Sequence, residues 1–306
     1  FSVATPLNSG WTYRDRVDRK SAGLTVLDYY AGRYRHSTER EWRDRLDAGQ
    51  IWLDGEPAIA EMRLQPGQEL VYHRPPWKEP DVPLFFQVLY EDADLLVVAK
   101  PSGLPVMPGG GFLEHTLLGQ LQRRYPEETP VPIHRLGRGT SGLVLLARSQ
   151  TARSHLTRQM RDRQIGKVYL ALASGCPDRD EFGIDRAIGK IPHPVLGYIY
   201  GAADRGLFAR SDCRVLKREG DRAIIEVTIL TGRPHQIRIH LAAAGFPLVG
   251  DPLYEIGGKP RSPEGDTVPV PGDCGYWLHA YSLSFRHPKT GETLRITAPP
   301  PPELRV

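Results

Sequence analysis

Hydrophobic and polar positions keep one rhythm near the start of the chain and another beyond residue 84. In "TEREWRDRLDAG", residues 38 to 49, Trp42 and Leu46 recur four apart among charged neighbours, which predicts an amphipathic helix. Thr38 with Glu41 three residues on forms a capping-box signature at its start, and Gly49 suits its end. "IWLDGE" then predicts a short strand entering an Asp54-Gly55 turn, and "GQELVYH" a further strand.

Beyond residue 84 strands dominate. "FQVLYEDADLLVVAKPSGLPV" predicts two strands around an acidic turn, the second closing on Lys100-Pro101. Residues 150–163 predict a helix burying Ala152, Leu156 and Met160. "KVYLALASG" and "RAIIEVTIL" predict strands. In "TGRPHQIRIHLAAAG", Pro234 suits a first helical turn and Gly245 a helix end. Residues 255–273, rich in Gly and Pro, predict a surface loop. The whole is an α+β pattern without internal repeats. Between the two rhythms lies "HRPPWKEPDVP", residues 73–83, a proline-rich extended linker.

Composition narrows the function classes only slightly. With 306 residues, 40% hydrophobic and 25% charged, the chain can bury a sizeable core as a soluble globular protein. A net charge of +4 is a mild basic bias compatible with nucleic acid. No apolar run approaches the roughly 20 residues of a membrane helix, and "FSVATPLNSG" lacks the pattern of a signal peptide. Cys176, Cys213 and Cys274 lie far apart, without spacing for zinc or redox work. The expectation is a cytoplasmic monomer with no metal and no membrane partner.

Candidate chemistry concentrates in "HRLGRGTSG", residues 134–142, where His134, Arg135, Arg138, Thr140 and Ser141 crowd a glycine-punctuated turn feeding the apolar run Leu143–Ala147. Such a loop suits a polyanion. Two basic series add to it: Arg33, Arg35, Arg40, Arg43 and Arg45 around the capped helix, and Arg153, His155, Arg158, Arg161, Arg163 and Lys167 around the later one. Solvated helix surface explains each series taken alone, and phosphate contact becomes the better explanation only where such a face borders a pocket. His235 and His240 are five apart with no carboxylate between them, which argues against zinc and for bracing histidines. Thr140-Ser141 with His134 lacks the small-residue elbow and the orienting acid of a hydrolase.

Four segments together resemble the RluA-type family of RNA pseudouridine synthases: "VVAKPSGLPV" (97–106), "PIHRLGRGTSGLVLLAR" (132–148), "KVYLALASG" (167–175) and "TGRPHQIRIHLAAAGFPLVGDPLY" (231–254). "LHAYSLSFRHPKTGETL" (278–294) resembles the family's closing segment. Residues 16–77 resemble the ribosomal-protein-S-four-like RNA-binding module. The resemblance implies an amino-terminal extension (1–15), an RNA-binding module (16–77), a linker (78–84) and a strand-rich mixed α/β synthase domain (85–306). It also implies a structured RNA partner, rRNA or tRNA, and no cofactor. In the family the target uridine is flipped out, an aspartate attacks the ribose or promotes elimination, and carbon 5 of uracil rejoins the sugar. Carried over by position, Arg135 matches the loop arginine that enters the RNA stack, Tyr169 the tyrosine near carbon 5, and Arg233 the aspartate's arginine partner. Arg138, Arg40, Arg43, Arg158 and Arg161 are candidate RNA contacts.

The aspartate itself is missing. Its slot, after "HRL", is Gly137, and no Asp or Glu occurs between Glu128 and Asp162. Glycine offers neither nucleophile nor base. The expectation is therefore an Arg233 that faces a pocket without its counter-ion, with Asp251 of "VGDPLY" a distant substitute. Three readings stay open: a synthase using another carboxylate or route, an RNA-binding pseudoenzyme, and a different nucleotide-directed chemistry. Retention of Arg135, Tyr169 and Arg233 favours continued use of the pocket.

Overall fold

The computed structural model describes residues 6–193, 196–262 and 268–306. It divides into two compact units, Phe1–Glu79 with His193–Gly197, and Pro80–Pro192 with Tyr198–Val306. Among the described residues no helix is long and apolar enough to cross a membrane.

In the first unit two helices, Val26–Arg33 and Glu39–Asp47, pack with a four-stranded antiparallel sheet. Thr38 closes the expected capping box: its Oγ1 accepts from Glu41 N, while the Glu41 carboxylate accepts from Thr38 N. Trp42 and Leu46 are buried with Tyr30, Ile51 and Leu70. Asp54 and Gly55 both take positive φ, 50° and 90°, the backbone a two-residue hairpin loop requires. The strand Trp11–Arg16 pairs along Glu69–Arg74, so part of the expected extension belongs to the sheet. Its side chains are nearly all exposed, which leaves no hydrophobic alternation to read.

The second unit is the strand-rich mixed fold expected from the sequence. Its ten-stranded sheet contains, as four successive neighbours, Arg222–Ile229, Gly166–Ser174, Leu278–Arg286 and Ser141–Ala147. The last pair runs parallel and the other two pairs antiparallel. One row crosses all four: Val227 pairs with Tyr169, Tyr169 with Ala280, and Ala280 with Gly142. Helix Gln150–Arg161 buries Ala152 and Leu156 as expected, with Met160 half-buried. Gln159 is buried too, its amide exchanging hydrogen bonds with the Arg286 backbone.

Helix Gln236–Ala243 starts two residues after Pro234 rather than on it. His235 is left-handed (φ 55°), and the Gln236 amide oxygen accepts from Arg233 N and Thr231 Oγ1, which holds residues 231–235 as a turn. Of the stretch expected as a loop, Tyr254–Glu255 pairs with Lys259–Pro260, and residues 263–267 lie outside the described residues, as do residues 1–5 of the amino-terminal extension.

Gly142 takes φ +103°, and a Cβ there would lie 2.3 Å from the Ala280 carbonyl oxygen. Both the backbone conformation and the cross-strand approach demand glycine. Gly142→Ala is expected to lower unfolding stability by about 2–3 kcal/mol. A urea midpoint within error of wild type would show that the sheet accommodates the methyl.

Candidate active site

Each of the four central strands carries one wall of a cavity. The loop before Ser141–Ala147 contributes Gly137 and Thr140, Gly166–Ser174 contributes Tyr169, and the residues at the start of Leu278–Arg286 contribute Tyr276 and Leu278. The turn and helix after Arg222–Ile229 contribute Arg233, His235 and Arg238. The cavity is partly open to solvent, with a volume of about 110 Å³.

The glycine loop is held from behind by the "KPSG" segment. Lys100 Nζ donates to the carbonyls of Pro101, Leu104 and Arg138, using its three N–H bonds, and Gly103 N also donates to Arg138 O. Ser102 Oγ donates to Gly139 O. Burial pulls the Lys100 ammonium down to about 7. A Cβ at Gly139 would lie 2.9 Å from the Tyr276 ring, so glycine there lets the ring close on the loop. Gly137 is different. Its φ is not positive, and a Cβ would meet only Tyr276 Oη at 3.1 Å and Thr140 Oγ1 at 3.6 Å. Neither backbone nor packing requires glycine at 137.

Arg233 borders the cavity but is half-exposed, and its Nε donates to Phe208 O. The expected buried guanidinium without a counter-ion is therefore not at 233. The buried guanidinium is Arg238, 3% exposed, and it has a counter-ion: it bonds bidentately to Asp251, Nε to Oδ2 at 2.8 Å and Nη2 to Oδ1 at 2.6 Å. Asp251 also accepts from Leu253 N and Tyr254 N, and it does not line the cavity. A carboxylate so fully engaged, and not among the lining residues, is not available as a nucleophile in the cavity. The sequence offered one signal for Arg238, an arginine between two isoleucines on a helix with no polar face, and a buried arginine needs a partner.

Tyr169 is buried, which pushes its phenol up to about 12, and burial raises Tyr276 as well. Burial, then Arg238, pulls His235 down to about 4. At neutral pH the charged groups lining the cavity are therefore Arg135, Arg233 and Arg238, and no Asp or Glu is among the described lining residues. His134, also pulled to about 4 by burial, accepts from Leu145 N. His240 Nε2 donates to Arg186 O, and its Nδ1 accepts from Ser211 Oγ.

A groove of about 440 Å³ shares Arg135, Tyr169 and Arg233 with the cavity and adds Arg161, Arg163 and Lys167. Arg161 forms an exposed ion pair with Asp162, worth under about 1 kcal/mol. Arg158 is exposed on the same helix but does not line the groove. Arg138 points elsewhere, donating to Gly272 O and lying 5.3 Å from the Phe112 ring centre. Arg40 and Arg43 are in the first unit, where Arg40 is exposed and Arg43 pairs with Glu61.

The family model for RNA pseudouridylate synthase matches residues 94–243. The chain is 49% identical to an uncharacterised RNA pseudouridine synthase of Synechocystis sp., covering 91% of this chain and 95% of that one. It is 39% identical to RNA pseudouridine synthase 5 of Arabidopsis thaliana, covering 98% and 95%. It is 35% identical to ribosomal large subunit pseudouridine synthase D of Neisseria meningitidis serogroup B, covering 95% and 84%. The solved structure of human RNA pseudouridylate synthase domain containing 1 superposes with a TM-score of 0.58 at 27% identity, covering 74% of this chain and 89% of that one.

Proposed function

The chain belongs to the RNA pseudouridylate synthase family, and from that membership we propose that it acts on structured RNA as a pseudouridine synthase. One everted uridine enters the cavity, while the RNA backbone follows the basic groove. The observation that carries this reading is the meeting of Gly137, Tyr169, Arg238 and Tyr276, delivered by four neighbouring strands, around a small cavity that shares Arg135, Tyr169 and Arg233 with that groove. Flipping a base costs a few kcal/mol, which phosphate contacts from Arg135, Arg161, Arg163, Lys167 and Arg233 would offset. The amino-terminal unit, with exposed Arg40 and the weakly paired Arg43, is proposed as a second RNA contact.

One observation favours a second reading. With no carboxylate among the described lining residues, the cavity holds the base but contains no group to attack the ribose. On that reading the protein binds and releases uridine unchanged.

RNA tritiated at uridine carbon 5 separates the two. Isomerisation bonds carbon 5 to the sugar and expels its hydrogen, so the synthase is expected to release label from cellular RNA above a boiled-protein control. Binding is expected at submicromolar concentration and should weaken steeply with salt. Intact binding with no release from total RNA would overturn the synthase in favour of the binder.

A further inference from the structure

The basic groove continues away from the cavity. Arg163, Lys167, Ile229 and Leu230 line it and also a second hollow of about 430 Å³, whose other walls include Phe208 and Arg210. Phe208 is 54% exposed, although its backbone is tied down on every side. Leu207 exchanges two backbone hydrogen bonds with Ile188, Ala209 is buried, and the Phe208 carbonyl accepts from Arg233 Nε at 3.1 Å. The exposure therefore falls on the ring. Arg233 itself lines the cavity, so one side chain spans the distance from there to the Phe208 backbone. A ring on so fixed a backbone loses little freedom when something stacks on it.

The hollow also holds positive charge that its own acids do not cancel. Arg210 is paired with both Asp185 and Asp212, the two carboxylates of the lining. No ion pair engages Arg163 or Lys167 among the described residues. Lys167 Nζ lies 3.9 Å from Met160 Sδ, and burial pulls its ammonium down, a cost that a phosphate beside it would offset. Arg163 holds φ 57°, a left-handed conformation that glycine adopts at less cost just past a helix end. Backbone stability does not account for an arginine there; its place in the walls of both groove and hollow does.

From these observations we propose that the hollow seats a nucleotide flanking the everted uridine, its base stacked on the Phe208 ring and its phosphate held by Arg163 and Lys167. An aromatic face beside two cations suits the two parts of a nucleotide, a flat base and an anionic phosphate. Neither contact reads a base edge, so the subsite takes any base and contributes affinity rather than sequence choice. It rests on the reading of the cavity as the place of an RNA uridine, whether or not that uridine is isomerised.

Fluorescein-labelled oligouridine of about ten nucleotides, titrated with the whole chain, tests it. Wild type is expected to bind with an affinity that falls with salt. Phe208→Ala should weaken binding about tenfold and leave the salt slope unchanged, because it removes stacking and no charge. Phe208→Trp should bind at least as tightly as wild type. Lys167→Gln should weaken binding and lower the log–log salt slope by about 0.7, the share of one phosphate contact on a single strand. Phe208→Leu keeps an apolar side chain without the aromatic face; it should lose severalfold and carries the test if Phe208→Ala does not fold. No binding by wild type, equal binding by Phe208→Ala and wild type, or Phe208→Trp as weak as Phe208→Ala would overturn the subsite. If the Phe208 variants lose binding while wild type releases no tritium from uridine, the subsite stands and the synthase reading falls. Release by wild type with Phe208→Ala binding unchanged does the reverse.

Discussion

Gly137→Asp is expected to raise tritium release from uridine-labelled RNA by about a thousandfold or more, the scale on which losing a catalytic nucleophile is usually felt. The loop can accept the change. Residue 137 is not in the left-handed region, so an L side chain suits its backbone. The new Cβ needs only a few tenths of an ångström from Tyr276 Oη, whose contact with Thr140 at 3.3 Å is long and yields readily. Arg238 lines the same cavity, its guanidinium 4.2 Å from the Tyr276 ring centre. With Arg135 and Arg233 it gives the cavity a positive potential that favours an incoming carboxylate in its ionised form. Gly137→Asn, equal in shape but uncharged, should gain nothing. A folded, RNA-binding Gly137→Asp protein no faster than wild type would show that the cavity is not built for this chemistry.

The second large effect is on stability. Arg238→Met should cost about 3–5 kcal/mol, because it leaves a buried carboxylate without its cation. The Asp251 side chain is fully buried, so water cannot replace the guanidinium, and its remaining donors are the Leu253 and Tyr254 amides. Removing both charges in Arg238→Met/Asp251→Leu should recover about 1–2 kcal/mol of that loss, since an apolar pair avoids the uncompensated ion. Urea unfolding measures both. A single variant costing less than about 1 kcal/mol would mean that water reaches the carboxylate after all.

Local features are legible in the order of residues alone. The capping box at Thr38, the Asp54-Gly55 turn and the stripe of Ala152 and Leu156 depend on residues within a few positions of one another, where propensity and periodicity act directly. The same holds for the glycine and proline framework that carries the family resemblance, and for the lack of any Asp or Glu between Glu128 and Asp162. Helix Gln236–Ala243 begins two residues later than Pro234 suggests, because the Gln236 amide that holds the preceding turn gives no signal in a local pattern.

The identity of the buried arginine is beyond such reading. Arg233 and Arg238 stand five apart in one basic run, and only the fold makes one half-exposed and seats the other on Asp251, thirteen residues away. At Gly142, the close approach of Ala280 adds to the demand of a positive φ, and only the parallel pairing of two distant strands brings Ala280 alongside. The exposed strand Trp11–Arg16 is specified by its partner's hydrogen bonds rather than by its own side chains. Order along the chain thus determined the family, the local elements and the absence of an acid at 137. Sheet register decided which groups are buried and what they pair with, because burial and ion pairing depend on neighbours that sequence distance does not reveal.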